Sequence, residues 1–457
     1  MSEYTKVKIG DICRIEKGRT GIASATPGEY PLVVTAEERK TCNTYQFDCE
    51  AVCIPLVSSS GHGKKSLKNV HYQSGKFALG SILCAVIPNN PQEVNARYLH
   101  QYLQFYKDTL LVPLMKGAAN VSLSMRDITK VEIPLPDFDT QTLLAKTFVE
   151  VQEKQKQLDA EFEKQTEYVK RLRQNILQEA IEGKLTAEWR KTHPAEKGNP
   201  DFDAQALFEQ IQKEKEGNSQ QARKCVASSE AFPCGRTSLR PTPSAGSNAA
   251  RNARLDDKQP FEIPESWKWV RLGDLCDFGK CQNIEPSSLN PDDWILDLED
   301  IEKDSGRILS FRNFSENMSQ STKHIFKKNN VLYSKLRPYL NKVVVAPKDG
   351  CCTSEILPLD FGDKLLPKFM QFELMSPFFV SYTTNLSYGM KMPRLGKNDG
   401  KKAKLPLPSL AEQKEIVAKV ESLLAKVTEL ENQIYERKKL SVQLMQTILK
   451  NASSPRK

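Results

Sequence analysis

Two stretches of the chain carry apolar residues at heptad spacing. In the first, Leu144, Phe148, Val151, Leu158, Phe162, Val169, Leu172 and Ile176 fall in alternating steps of four and three, with Gln155 and Gln165 in the same series. In the second, Ile416, Val420, Leu423, Val427, Leu430, Ile434, Leu444 and Ile448 do the same, with Arg437 and Ser441 as the polar members. Sustained a/d spacing predicts two long helices, each with one apolar seam. The four polar seam residues leave two readings open: solvated, splayed parts of a coil, or residues that set register. Elsewhere short apolar runs alternate with turns. Ala51–Val57, Ser81–Pro88, Asn330–Ser334 and Lys342–Ala346 read as strands. Ala96–Leu110 and Leu366–Met375 have helical spacing.

The pattern repeats. Val7-Lys8-Ile9-Gly10-Asp11-Ile12-Cys13 matches Val270-Arg271-Leu272-Gly273-Asp274-Leu275-Cys276 at an offset of 263, and Leu123–Pro136 matches Leu395–Pro408 at an offset of 272. The two seams share the second offset, which makes Gln155 the counterpart of Val427. The repeating unit is therefore a mixed α and β module followed by a long helix. The expected fold class is α+β: two tandem mixed α/β modules separated by two long helices that form an antiparallel coiled coil. The expected segments are a module at 1–136, a long helix at 137–193, a short helix and linker at 194–261, a second module at 262–408 and a last helix at 409–457. Ser409 and Glu412 have capping-box spacing, and Asp137 stands before the first helix. Gly183 is the expected stop of that helix. Ala206, Leu207 and Ile211 mark a short amphipathic helix. Gly217 to Arg254, rich in Ser, Ala, Pro and Gly with six basic residues and one acid, reads as a flexible linker.

At 457 residues the chain is long enough for two or three cores. No run approaches the apolar length of a membrane span. The first residues lack a signal-peptide core. Eleven cysteines, an odd number without spacing order, read as free thiols. These features place the expected chain in the cytoplasm, away from membranes. Catalytic motifs are missing: no phosphate loop, no dinucleotide fingerprint, no nucleophile elbow, and no methyltransferase tetrapeptide of the Asn-Pro-Pro-aromatic kind. Cys42, Cys49, Cys53 and His62 do not have zinc spacing, so no metal is expected.

Net charge is only +9, but it is segregated. Lys64, Lys65, Lys68 and Lys76 lie in one acid-free stretch. Lys323, Lys327, Lys328, Lys335, Arg337 and Lys342 form another, with Tyr333 and Tyr339 among them. From Lys391 to Lys404 six basic residues, including Arg394, Lys397 and Lys401, face one acid. Such runs suit phosphate contact, although any one of them could be no more than a solvated face. The DNA-binding candidates are Lys64, Lys65, Lys68, Lys327, Lys328, Lys335, Arg337, Lys391, Arg394, Lys397 and Lys401.

The run Trp267-Lys268-Trp269-Val270-Arg271-Leu272-Gly273-Asp274 and the run Leu405-Pro406-Leu407-Pro408-Ser409-Leu410-Ala411-Glu412-Gln413 open and close the second module. Ile176-Leu177-Gln178-Glu179-Ala180-Ile181-Glu182-Gly183-Lys184-Leu185-Thr186 ends the first helix, and Val331 to Leu340 lies within the second module. With these the chain resembles the specificity subunits of type I restriction-modification systems over nearly its whole length. The resemblance implies two target-recognition domains, each reading half of a split site in double-stranded DNA. It also implies a non-catalytic subunit that docks two methyltransferase (M) subunits and restriction/translocase (R) subunits in a DNA-methylation and restriction system. It assigns no cofactor to this chain; S-adenosylmethionine, ATP and Mg are expected on the partner subunits. The family's base-contacting residues vary with the site, so none transfers. The alternative is a coiled-coil scaffold that binds only protein partners.

Overall fold

The computed structural model describes residues 4–60, 63–118, 120–227, 259–316 and 320–452. Residues 228–254 of the expected linker and His62 lie outside them. By internal contacts the chain divides into Met1–Gln165 with Gln433–Lys457, and Thr166–Asn432. Each unit therefore holds one module and a portion of both long helices.

In the first unit, strands Cys13–Lys17, Leu83–Pro88, Ala51–Pro55 and His71–Gln73 form one sheet in that order. Lys40–Cys42, Tyr30–Val33, Lys76–Leu79 and Phe47–Asp48 form a second. Ala51–Pro55 is buried along its whole length because sheet neighbours flank it and apolar side chains cover both faces. The helix Ala96–Leu110 closes the core. Asn95 caps it by accepting from the Arg97 and Tyr98 amides, and the Tyr98 hydroxyl donates to the Pro134 carbonyl at 2.7 Å.

The second unit rebuilds this plan. Val331–Ser334 pairs antiparallel with Val343–Val345 and Ile356–Leu359, as Ala51–Pro55 pairs with its two neighbours. The parallel pairs match as well. Leu32 faces Ala78 and Val33 faces Leu79; in the second module Ile295 faces Cys351 and Leu296 faces Cys352. Each module closes by the same strand pair, Val7 opposite Ile133 and Val270 opposite Leu405. A buried glutamine then locks the exit. The Gln141 amide donates to the Pro136 carbonyl and its oxygen accepts from the Asn95 amide. The Gln413 amide donates to the Pro408 carbonyl and its oxygen accepts from the Leu366 amide. The two glutamines sit 272 positions apart, the offset of the surrounding motif.

The long helices run Phe138–Ile181 and Leu410–Ala452. Within the first unit Gln155 meets Ser441, and the Arg437 guanidinium lies over the Phe162 ring. Within the second, Arg173 donates to Glu431 at 3.1 Å and Lys419 donates to the Leu185 carbonyl. Rising numbers on one helix meet falling numbers on the other, so the pair is antiparallel. Most seam residues are buried: Leu144, Phe148, Val151, Phe162, Ile416 and Val420 are, while Leu423 and Ile434 are partly covered. Leu158 and Ile448 remain 37% exposed, Leu172 and Leu430 42%, and Leu444 58%. The first helix ends in a Schellman turn at Gly183, whose φ is 71°, with the Lys184 amide reaching the Glu179 carbonyl.

Three local expectations change. Glu412 does not reach back to cap its own helix. Its buried carboxylate accepts from Thr186 at 2.7 Å, Arg190 at 2.5 Å and the Trp267 indole at 2.7 Å, because three donors converge on it where the capping geometry offers one. The helix expected to end before Gly217 continues to Ala227. Its inner residues pack on Leu272–Leu275, where Gln212 and Lys215 donate to the Asp274 and Gly273 carbonyls. Gln155 and Val427, equivalent in the repeat, do not face one another, since antiparallel packing sets Gln155 against Ser441 instead.

Candidate nucleic-acid interface

Each module carries one short hairpin, docked on the end of its central strand. In the second module Tyr388 and Arg394 exchange both backbone bonds, at 3.1 and 2.9 Å. The Arg337 amide donates to the Pro393 carbonyl at 2.7 Å and the Leu395 amide to the Lys335 carbonyl at 2.9 Å. In the first module Lys116 and Ser122 exchange two bonds of 2.8 Å. The Ser58 amide reaches the Val121 carbonyl and the Leu123 amide the Leu56 carbonyl. Both hairpins turn at a glycine in the left-handed half of backbone space, Gly117 at φ 122° and Gly389 at φ 104°. Other residues reach such angles only under strain.

Cations gather at these hairpins. In the second module Lys335 and Arg337 lie on the strand exit, Arg394 at the hairpin base, and Lys391 at its apex. The methylenes of Lys397 pack where a Cβ on Gly279 would sit. Arg394 forms a double hydrogen bond to the Glu355 carboxylate, at 2.9 to 3.1 Å. That contact, with Lys335 nearby, holds Glu355 below the usual carboxylate range. Burial pushes the His324 imidazole down, and the Lys335 and Lys397 charges push the same way. His324 is therefore neutral at pH 7, and its Nδ1 lies 2.8 Å from the Ile356 carbonyl. In the first module the Cβ that Gly63 lacks would lie 2.3 Å from the Ala118 carbonyl oxygen. The loop carrying exposed Lys64, Lys65 and Lys68 thus abuts the hairpin apex.

The structure brings Lys335, Arg337, Lys391, Arg394 and Lys397 together, and Lys64, Lys65 and Lys68 beside their own hairpin. It separates Lys327 and Lys328 from the former group. Those two are exposed in the turn before Val331–Ser334, at the opposite end of that strand from Lys335. Lys401 packs over Gly273, beside the opening strand of the module. Sequence reasoning missed Glu355 and the hairpins themselves. The hairpins left a signal in the chain, since Gly117 and Gly389 sit at the common offset of 272. Glu355 left none, because acids entered only as exclusions from basic runs.

Among the described residues no group of His, Cys, Asp or Glu is arranged to hold a metal ion, and no helix is long and apolar enough to cross a membrane.

The architecture is thus a double module with paired helices and a hairpin repeated in each half. The family model for the type I restriction modification DNA specificity domain matches residues 1–167 and 264–437, and the chain belongs to that family. The type I restriction enzyme EcoDI specificity subunit of Escherichia coli is 25% identical over 451 residues, which cover 98% of this chain and 88% of that one. A solved chain from work on assembly and conformational transition of the type I R-M system superposes with a TM-score of 0.57. It is 16% identical, with 99% of this chain and 97% of that chain covered. That likeness supports the α+β fold with its long helix pair. Specificity subunits are the non-catalytic DNA-recognition components of their systems, and the family places this chain in that class.

Proposed function

We propose that this chain reads a bipartite site in double-stranded DNA, one half per module, and docks methyltransferase and restriction subunits that carry the S-adenosylmethionine and ATP chemistry. We take 1–136 and 262–408 as the reading modules, acting in the cytoplasm where the DNA is. The observation that carries the proposal is the same docked hairpin, built twice, with cations beside it each time, at the base in the second module and against the apex in the first. Lys64, Lys65, Lys335, Arg337, Lys391 and Lys397 are the proposed phosphate contacts, with Lys68, Lys327, Lys328 and Lys401 at the margin. Arg394, bound by Glu355, is proposed to add a side-chain tether to a hairpin already held by its backbone bonds. A scaffold for proteins alone leaves the repeated basic hairpins without a role. The exposed apolar residues of the helices, such as Tyr168, Leu440 and Leu444, suit protein partners in addition to DNA.

The test is salt-dependent binding by the complex with its methyltransferase subunits, on DNA carrying the site mapped by methylation. Replacing Lys335 and Lys397 with Ala should flatten the dependence of log K on log salt by about 0.9 for each phosphate no longer neutralised. Lys327→Ala with Lys328→Ala should do the same at the margin. An unchanged slope in every variant would overturn the reading. The helix pair is proposed as the ruler between half-sites. Four residues inserted after Gln155, with four after its partner Ser441, lengthen the pair by about 6 Å. They should widen the unspecified gap while leaving both half-sites intact.

A further inference from the structure

The hairpin of the second module carries side chains that phosphate contact does not explain. Met390 at its apex is 102% exposed and Met392 51%. The apex between Tyr388 and Arg394 is rigidly based, by two backbone hydrogen bonds across the hairpin, two to the strand exit, and the paired hydrogen bonds that Arg394 donates to Glu355. Two bare thioether side chains on a fixed apex leave apolar surface in water without local benefit. They project from a base lined by Lys335, Arg337 and Lys397, with Lys391 between them. A cationic rim around an apolar point does not suit an apolar protein groove, which would have to bury those charges unpaired. It does suit a polyanion with an apolar interior. Proteins that deform a duplex push side chains such as Met between base steps while neighbouring cations hold the phosphates. Methionine is unbranched and polarisable, and adapts to an irregular stack.

The first module offers a control inside the same chain. At the positions matching Met390 and Met392 its hairpin carries Ala118 and Asn120, neither of which reaches far enough to pry adjacent base pairs open.

Resting on the DNA-reading proposal above, we propose that Met390, backed by Met392, is a wedge that enters the duplex at the half-site read by the second module and opens one base step. The half-site read by the first module is bound without such a wedge.

The experiment uses the full chain assembled with its methyltransferase subunits. The probe is a duplex carrying the methylation-mapped site, with 2-aminopurine placed in turn at each position except the methylated bases and their neighbours. The wild-type complex should brighten the probe at one step of one half-site. Met390→Ala with Met392→Ala should abolish that signal and weaken binding roughly ten-fold, with the salt slope unchanged. Met390→Leu, still apolar and of similar reach, should keep the signal. Tight binding by the wild type with no brightened step overturns the wedge while leaving DNA reading intact. So does a double alanine variant that keeps the step open. If that variant instead sheds methyltransferase subunits at unchanged DNA affinity, the apex is a protein-docking point and the wedge is wrong. No salt-dependent binding by the wild type overturns both proposals.

Discussion

The two hairpins share a backbone and differ in what they display. Lys116–Ser122 and Tyr388–Arg394 make the same cross-hairpin bonds, dock on the same strand exits and turn at the same glycine. Their apices nevertheless run from Ala and Asn in one to Met, Lys and Met in the other. The reason is that the scaffold bonds are main chain to main chain and do not depend on the side chains between them. A reader built this way can change what it reads without changing how it folds. The same contrast recurs at the helix starts. Thr140 in the first copy donates locally to Asp137 at 2.8 Å. Its counterpart Glu412, 272 positions on, is buried and gathers three distant donors.

That last contrast carries the largest expected effect. Glu412→Ala should cost about 3–5 kcal/mol, because it removes the buried carboxylate that pairs with Arg190 and accepts from Thr186 and the Trp267 indole. Thr140→Ala should cost about 1 kcal/mol, the worth of one exposed hydrogen bond. Urea midpoints of the two variants would measure the gap, and equal shifts would break the comparison.

An acid titration comes next. Burial, then the Arg39 guanidinium, push the His71 imidazole down to about 4. Val343 stands at the matching place of the second module, third in its strand pairing opposite Tyr333 as His71 is opposite Cys53. Unfolding returns a histidine to about 6.5, so between these values the unfolded chain binds the proton and the folded chain does not. Stability of the first unit should therefore fall as pH drops from 7 to 4, by on the order of 2–3 kcal/mol from this group. Calorimetry of wild type and His71→Val at both pH values would show it. The variant should lose most of the slope, and an unchanged slope would place the acid sensitivity elsewhere.

The smallest expected effect compares the turn glycines. A Cβ on Gly117 would lie 2.2 Å from the Asn120 carbonyl oxygen, whereas on Gly389 the nearest atom is 3.1 Å away. Both positions carry backbone strain for alanine, but only the first adds a collision. Gly117→Ala should cost about 2 kcal/mol and Gly389→Ala about 1 kcal/mol. Urea midpoints again decide, and the reverse order would mean that the two turns are not equivalent.

Much of this architecture was legible before any coordinates. The helix expected over Ala96–Leu110 has those bounds, and the runs read as strands hold strands at Ala51–Pro55, Leu83–Pro88, Val331–Ser334 and Val343–Val345. The common offset of 272 places Gln141 with Gln413 and Gly117 with Gly389. Periodicity, turn chemistry and repetition are properties of neighbouring residues, so the chain by itself determined its elements and its double plan. Contacts between distant residues are not of that kind. That Gln155 meets Ser441, 286 positions away, depends on the register at which two antiparallel helices come to rest. That Lys335 joins Arg394 and Lys397 while Lys327 and Lys328 point away depends on which end of one strand meets a hairpin some sixty residues later. That Glu412 binds Trp267 and Arg190 instead of capping its helix depends on three segments converging. Only the tertiary structure decided these, because each is fixed by the packing of whole elements and not by the spacing of residues along one of them.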